Sequence, residues 1–402
     1  MPTKPGKPRS EGIRAQNLAR VLTLLHRSGP LSRAELTRLT GFNRSTVGAL
    51  TTELGRLGLA YETEPAAAAR AGRPSPRVHA NERIAVLAVH PDVDAVTVGL
   101  VGLGGKVHRR IRHETERCPS VAEAVDITRT VVGGMASSLA LMDRVIGIGA
   151  AVPGLVDSSD GSVRLAPHLK WEDEPLTTAL QDALGLPAYA GNDATLGTLA
   201  ESVFGAAVGK ANVVYLNGSA SGIGGGAVVG GVPLGGAAGF AGELGHTLVR
   251  TDGLPCHCGR SGCLETEVNL GGLLEALGLG HADLDELEAA MAAAKDSAGF
   301  RAEAERQLDL LGEAVVNFVN VFNPRTVLLG GFLGVLWAFD PERLHRAVAA
   351  GAIGGLGGSV EIRRAALGAD LLLVGAAELA FSPLLSDPAA LSSAIPSPEQ
   401  HG

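Results

Sequence analysis

Between Gly242 and Glu265 the chain reads GELGHTLVRTDGLPCHCGRSGCLE, placing Cys256, Cys258 and Cys263 in one glycine-rich run. The protein has 402 residues and only four cysteines, so three of them here constrain the fold directly. Cysteines this close are strained disulfide partners, but they can aim three sulfurs at a single ion. With His246 they make a Cys3His set that suits a structural, tetrahedral zinc ion. The clustering speaks for a reducing compartment with one metal site and against a disulfide framework. Cys118 is then expected to be an ordinary, partly buried thiol.

The formal charge of -8 hides an asymmetry. Residues 1–83 carry 14 Lys and Arg against 6 Asp and Glu, a net of +8, which leaves 20 against 36, or -16, for the remainder. A basic module for a polyanion attached to an acidic body is the reading this favours, with nucleic acid as the polyanion. No run of about 18 uncharged apolar residues is found, and MPTKPGKPRS lacks the apolar centre of a secretory signal. A cytoplasmic protein without a membrane partner is expected.

Within the basic module, Leu18, Val21, Leu22 and Leu25 recur at helical spacing and predict a helix with one buried stripe. Ser32-Arg33-Ala34-Glu35 is a capping box, predicting a second helix from Arg33 that buries Leu36 and Leu39 and stops at Gly41. Asn43 then caps a third helix whose inward face is Val47, Leu50, Leu54 and Leu57. Two short helices around a glycine-containing turn form a helix-turn-helix, and the strand-like return beyond Tyr61 makes it a winged one. The candidate DNA contacts are Arg33, Arg44, Ser45, Thr46 and Arg73. Arg44 can donate two bonds to a guanine while Ser45 and Thr46 reach phosphate or base. The run Ala71-Gly72-Arg73-Pro74 suits a narrow minor groove, and it equally suits a plain linker.

From Ile84 the pattern becomes strand, hairpin and strand, then a helix over 121–141 and the apolar strand VIGIGAAVP. Strand-helix units are expected at Leu186 to Gly205 and Asn212 to Val229. A long amphipathic helix stops at Pro324 before the buried strand TVLLGGFL. The expected organisation is a flexible stretch over 1–12, the winged helix-turn-helix over 13–65 and a wing and linker over 66–82. An α/β body with the zinc site follows over 83–381, then a disordered tail over 382–402.

GELGH followed by CHCGRSGCLE, with GIGAAVPGLVD, APHLKW, GNDA and SGIGGGAVVGG, resembles the ROK family of repressors and sugar kinases over residues 13 to 380. The resemblance implies a two-lobed, actin-like (ribonuclease H-like) body with a sugar pocket between the lobes. By the same resemblance Asn192, Asp193, Glu243, His246 and Glu265 line that pocket, and His246 serves both zinc and ligand. Two positions depart from the family pattern: His168, a sixth sugar-binding candidate whose imidazole can donate or accept one hydrogen bond, stands where Asn is usual, and Gly191 where an acid is common. Asp193 matches the kinases' general base. Those kinases open with an Asp-x-Gly-Gly-Thr-type phosphate loop, whereas Val89-His90-Pro91-Asp92-Val93-Asp94 offers bulk, two acids and a proline without an N–H. The reading is a sugar-responsive repressor, acting as a homodimer or homotetramer on operator DNA under a sugar or sugar phosphate, with a catalytically silent body and a vestigial Asp193. A hexose or N-acetylhexosamine kinase carrying a DNA-binding head is the alternative.

Overall fold

The structure is a computed structural model that describes residues 9–64, 76–237 and 239–389. The head begins with α1 (Arg9–Ser28), earlier than the flexible stretch expected to reach residue 12. β1 (Leu31–Ser32), α2 (Arg33–Thr40), α3 (Arg44–Arg56), β2 (Ala60–Thr63) and β3 (Arg77–Ala80) complete it. The three strands form an antiparallel sheet in the order β1-β3-β2, with β2 and β3 as the wing. Three of the helix boundaries follow from local signals. The Ser32–Glu35 capping box is made in both directions, Gly41 takes the left-handed conformation that ends α2, and Asn43 Oδ1 accepts the Thr46 N–H at 2.8 Å. Leu39 departs from expectation: it is 38% exposed, because Leu36 and Thr40 fill the inward face of α2.

The first lobe holds β4 (Ile84–Pro91), β5 (Ala95–Gly102), β6 (Lys106–Glu114), α4 (Val121–Gly134), the one-turn α5 (Ala136–Leu139) and β7 (Arg144–Val152). The predicted helix over 121–141 is thus two helices, α4 and α5, joined at Met135. β8 (Leu155–Val156), β9 (Val163–Ala166) and β10 (Trp171–Glu174) form a small antiparallel flap, followed by α6 (Leu176–Leu184), β11 (Ala188–Asn192) and α7 (Asp193–Phe204).

The second lobe begins with β12 (Val213–Ser219), β13 (Gly222–Val229) and β14 (Val232–Pro233). Residues 212–229 are therefore a hairpin and not the strand-helix unit expected; the Ser219–Gly222 turn lets the chain pair directly back on itself. Then come α8 (Leu264–Glu267), α9 (Leu270–Leu277), α10 (Leu284–Ala293), α11 (Ala298–Phe322), β15 (Thr326–Gly331), α12 (Phe332–Phe339), α13 (Pro341–Gly351), β16 (Glu361–Arg364) and α14 (Leu371–Ser386).

The two main sheets repeat one plan. In each, three consecutive antiparallel strands are extended by two parallel ones, giving β11-β7-β4-β5-β6 and β14-β13-β12-β15-β16. The last helix does not stay with the second lobe. α14 crosses back to pack on α7, β7, β4 and α1. Gly149 on β7 and Gly375 on α14 permit this approach, since a Cβ on either would meet a backbone carbonyl, of Ala376 or of Leu196.

The tail boundary expected at 382 shifts for the same reason. Phe381 and Leu384 are buried in a core shared with Leu22 and Leu25 of α1, which holds the helix to Ser386 despite Pro383. The stretch Gly368–Ser386 is long and apolar enough to cross a membrane by length and composition, and most of it is buried inside the protein.

Head and body share that core, which continues through Leu36, Val47 and Leu54 of the head to Val86 and Val101 of the body. At its centre His26 of α1 is sealed between Phe204 of α7 and Phe381 of α14, with ring centroids 5.3 and 5.6 Å away. His26 Nδ1 accepts the Gly104 N–H at 2.9 Å, so the ring hydrogen resides on Nε2 and points at Glu378 Oε1, 2.6 Å away.

Candidate functional site

The knuckle between the 3-10 turn Leu244–His246 and α8 brings His246, Cys256, Cys258 and Cys263 together, every donor atom within 4.8 Å of the others. Local turns do this work. Cys256 N–H donates to Arg260 O at 2.7 Å, Gly259 N–H to Cys256 O at 3.0 Å, and Gly262 holds a positive φ of 78°. Four ligands at ordinary zinc distances in a tetrahedron put sulfurs about 3.8 Å apart and sulfur and nitrogen about 3.5 Å apart. Here Cys258 and Cys263 sulfurs are 3.6 Å apart, and Cys256 Sγ is 3.6 Å from His246 Nδ1. The donor set fits zinc, and all three thiols are free. Burial pushes the Cys256 and Cys263 thiols up, while the Arg260 backbone N–H holds Cys258 down to about 7. A bound dication would favour the thiolate at all three. Glu267, which sequence reasoning missed, is 2% exposed and accepts the Leu254 N–H at 2.6 Å, tying the knuckle to α8.

Beside the knuckle a cavity of about 530 Å³ lies between the lobes. All six residues expected there line it: His168, Asn192 and Asp193 from the first lobe, and Glu243, His246 and Glu265 from the second. Asn192 caps α7 through Thr195 N–H at 2.9 Å and donates to Gly154 O at 3.0 Å, so its amide is locked. His246 turns Nδ1 towards the cysteines and Nε2 towards Glu243 Oε2, 3.9 Å away. Burial pushes the Asp193 carboxyl up to about 6, with His90 opposing. Burial and the Glu265 charge raise Glu243, and burial, then His257, lower His168. Among the described residues no Lys, Arg, Phe, Tyr or Trp lines the cavity.

His257 also lines the cavity and was not foreseen. Its one signal in the sequence was its place between two ligand cysteines.

The glycines of SGIGGGAVVGG meet side chains. A Cβ at Gly222 would lie 2.7 Å from Glu265 Oε2, at Gly224 2.7 Å from Ala194 Cβ, and at Gly225 2.9 Å from Leu244 Cβ. Close packing of β13 on α7 and the knuckle accounts for them. At residues 89–94, Asp92 N–H donates to Ala95 O at 2.8 Å and Val93 N–H to Asp92 Oδ1 at 2.7 Å, so two amides of the segment are used within its own turn.

On the head, Arg44 and Ser45 are exposed at the first turn of α3. Ser45 Oγ donates to Asn43 Oδ1 at 2.8 Å and Thr46 is half-buried, so both take part in the cap. Arg33 pairs with Glu62 of the wing at 2.6 Å. Arg73 lies outside the described residues. Ala49, Thr52 and Arg56 continue the exposed stripe of α3 opposite Val47, Leu50 and Leu54; the complement of the apolar period could have identified them.

The class these features define is an actin-like, two-lobed α/β body, with a carboxylate-rich cleft and a Cys3His knuckle able to hold a metal, fused to a winged helix-turn-helix head. The chain belongs to the ROK family, whose sequence profile matches residues 88–382. It is similar to the crystal structure of a ROK family transcriptional regulator, a homologue of the E. coli MLC protein, with a TM-score of 0.76 and 26% identity, covering 95% of this chain and 98% of that one. It is 27% identical to the xylose repressor of Bacillus subtilis (strain 168), over 93% of this chain and 97% of the repressor. A glucokinase of Halalkalibacterium halodurans is 32% identical, covering 58% of this chain and 74% of the enzyme.

Proposed function

We propose that the protein is a sugar-responsive transcriptional repressor: the winged head holds operator DNA, and a sugar in the interlobe cavity changes that grip. The observation that carries this reading is the course of α7. Its first turn supplies Asn192 and Asp193 to the cavity, and its last residue, Phe204, packs on His26 of the head. Glu201, fully buried on the same helix, accepts the Ala366 and Leu367 N–H groups at 2.8 Å, fixing the rod against the second lobe. A ligand that draws the lobes to one spacing shifts this rod relative to the head, and control follows only if sugar affinity differs between the two arrangements. Two heads in a homodimer or homotetramer would then gain or lose register with paired half-sites. The likeness to repressors along almost the whole chain, head included, supports the same reading.

The effector is a neutral, unphosphorylated sugar. Asp193, Glu243 and Glu265 accept hydroxyl hydrogens well and repel phosphate, and no cation lines the wall among the described residues. Zinc is held by His246, Cys256, Cys258 and Cys263, where it would supply rigidity to the wall that carries His246 and Glu265. The body is catalytically silent, since residues 89–94 use the Asp92 and Val93 amides internally and Pro91 has none to offer a phosphate. Asp193, held near 6, favours the kinase alternative, because a base poised there could take a hydroxyl proton.

The deciding experiment is a mobility-shift titration on the protein's own upstream DNA with a panel of neutral sugars and their phosphates, paired with an assay for sugar-dependent ADP formation. One neutral sugar should lower operator affinity, its phosphate should not, and ADP should not form. Arg44→Ala should weaken operator binding by about 1 to 3 kcal/mol and relax one base preference. Operator affinity indifferent to every sugar that binds, or ADP formation at ordinary enzyme turnover, would sink the reading.

The raised Asp193 pKa gives a second expectation. Its folded value, about 6, lies above the ordinary aspartate range, so its contribution to stability is present at low pH and is lost as pH rises through 6. Sugar binding runs the other way, because the carboxylate is the better acceptor. Affinity should rise about tenfold between pH 5 and pH 7, and Asp193→Asn should flatten that rise. Calorimetry across this range with the effector sugar checks it.

A further inference from the structure

Three imidazoles stand in file from the metal centre across the cleft. His246 and His257 meet edge to face with centroids 5.0 Å apart, and His257 meets His168 in the same way at 5.0 Å. His246 belongs to the metal set and His168 to the flap of the opposite lobe. His257 is the link between them: it lies outside the Cys3His set, and its donor atoms gather with those of His168 and Glu265 within 4.8 Å of one another.

We propose that His257 is a sugar-contacting specificity residue, acting as a pair with His168 from the other side of the cleft. The proposal rests on the sugar-pocket reading above and deepens it by naming how hydroxyls are told apart. His257 lies between Cys256 and Cys258, so its backbone is fixed by the knuckle, while its side chain remains 35% exposed to the cavity. Its Nδ1 is 3.3 Å from Glu265 Oε1. Nδ1 also faces Cys256 Sγ at 3.9 Å, so Nε2 is the ring nitrogen available to a ligand hydroxyl. His168 comes from an equally fixed frame: Cys118 Sγ donates to Leu169 O at 3.3 Å, Trp171 Nε1–H donates to Pro119 O at 2.9 Å, and Lys170 holds a left-handed φ of 58°.

Each ring can present one nitrogen to a ligand hydroxyl. The two come from different lobes, so a pyranose that satisfies both must present hydroxyls in the right order with the lobes at one separation. The pair thereby joins recognition to the lobe spacing on which control depends. Among the described residues these histidines are also the aromatic rings available to the C–H face of a sugar, since no Phe, Tyr or Trp lines the cavity.

The test is calorimetric titration of the full chain, as purified, with glucose, xylose, galactose, mannose and their monodeoxy analogues. His257→Ala, His257→Gln, His168→Ala and the double variant are compared with wild type, and metal content is measured on each. For the tightest-binding sugar, His257→Ala should weaken affinity roughly tenfold with metal retained, and one deoxy analogue should cease to be discriminated. The double variant should lose less than the product of the two single losses. Unchanged affinities and ranking in His257→Ala overturn the proposal. So does uniform loss for all sugars with loss of metal in both His257 variants, which would make His257 a structural part of the knuckle. If wild type binds none of the sugars, the pocket reading falls as well; binding indifferent to His257 removes this proposal alone.

Discussion

His26→Ala should detach the head from the body while leaving the second lobe intact. The side chains of His26 and Glu378 are 0% and 3% exposed. Removing the imidazole leaves a carboxylate buried beside Phe204 and Phe381 with its 2.6 Å donor gone. Losing the donor of a buried hydrogen bond and leaving a ring-sized cavity together cost about 3 to 5 kcal/mol. Hydrogen exchange should therefore show α1 losing protection by about 10²- to 10³-fold while β12 and β15 keep theirs. Glu378→Gln is the informative companion, because its amide oxygen still accepts from Nε2 and the loss should stay within about 1.5 kcal/mol. Sugar should still bind His26→Ala, yet no longer alter its hold on operator, since Phe204 would have no partner in the head. Protection lost equally from β12 and α1 would show that the pair stabilises the whole molecule and is not the junction.

Cys263→Ser should empty the metal site and the pocket together. Cys263 is fully buried, and its thiol faces Cys258 at 3.6 Å. Structural zinc sites bind with about 10 to 16 kcal/mol in isolated fingers, and loss of one thiolate removes much of that. The knuckle orders His246, His257 and Glu265, so metal should fall from one equivalent to none and sugar affinity by about two orders of magnitude or more. Operator binding should survive without its sugar response, because none of the metal ligands lies in the core that head and body share. Elemental analysis with calorimetry reads both effects. Metal-free wild type that binds sugar normally would refute the assignment.

Features set by neighbours along the chain were legible from residues alone. The Ser32 and Asn43 caps, the stop at Gly41 and the Cys3His cluster all act over a few residues, where backbone geometry leaves few options. Asn192, Asp193, Glu243 and Glu265 were reached through motif resemblance, and the fold brings them into one cavity. Leu39, the Asn212–Val229 hairpin and the end of α14 were misread because each depends on which surface a distant element covers. For α14 that surface is the head: an apolar run ending in a proline reads as a boundary until α1 is packed against it.

The sequence by itself determined the Cys3His cluster, the helix-turn-helix and the family, since those are encoded in spacing. Only the tertiary structure decided that the head shares a core with the body, that His26 meets Glu378 from 352 positions away, and that His168 and His257 face each other across a cleft. Such pairings arise when two lobes and a returning helix are closed around common apolar surface, and no local period in the chain records them.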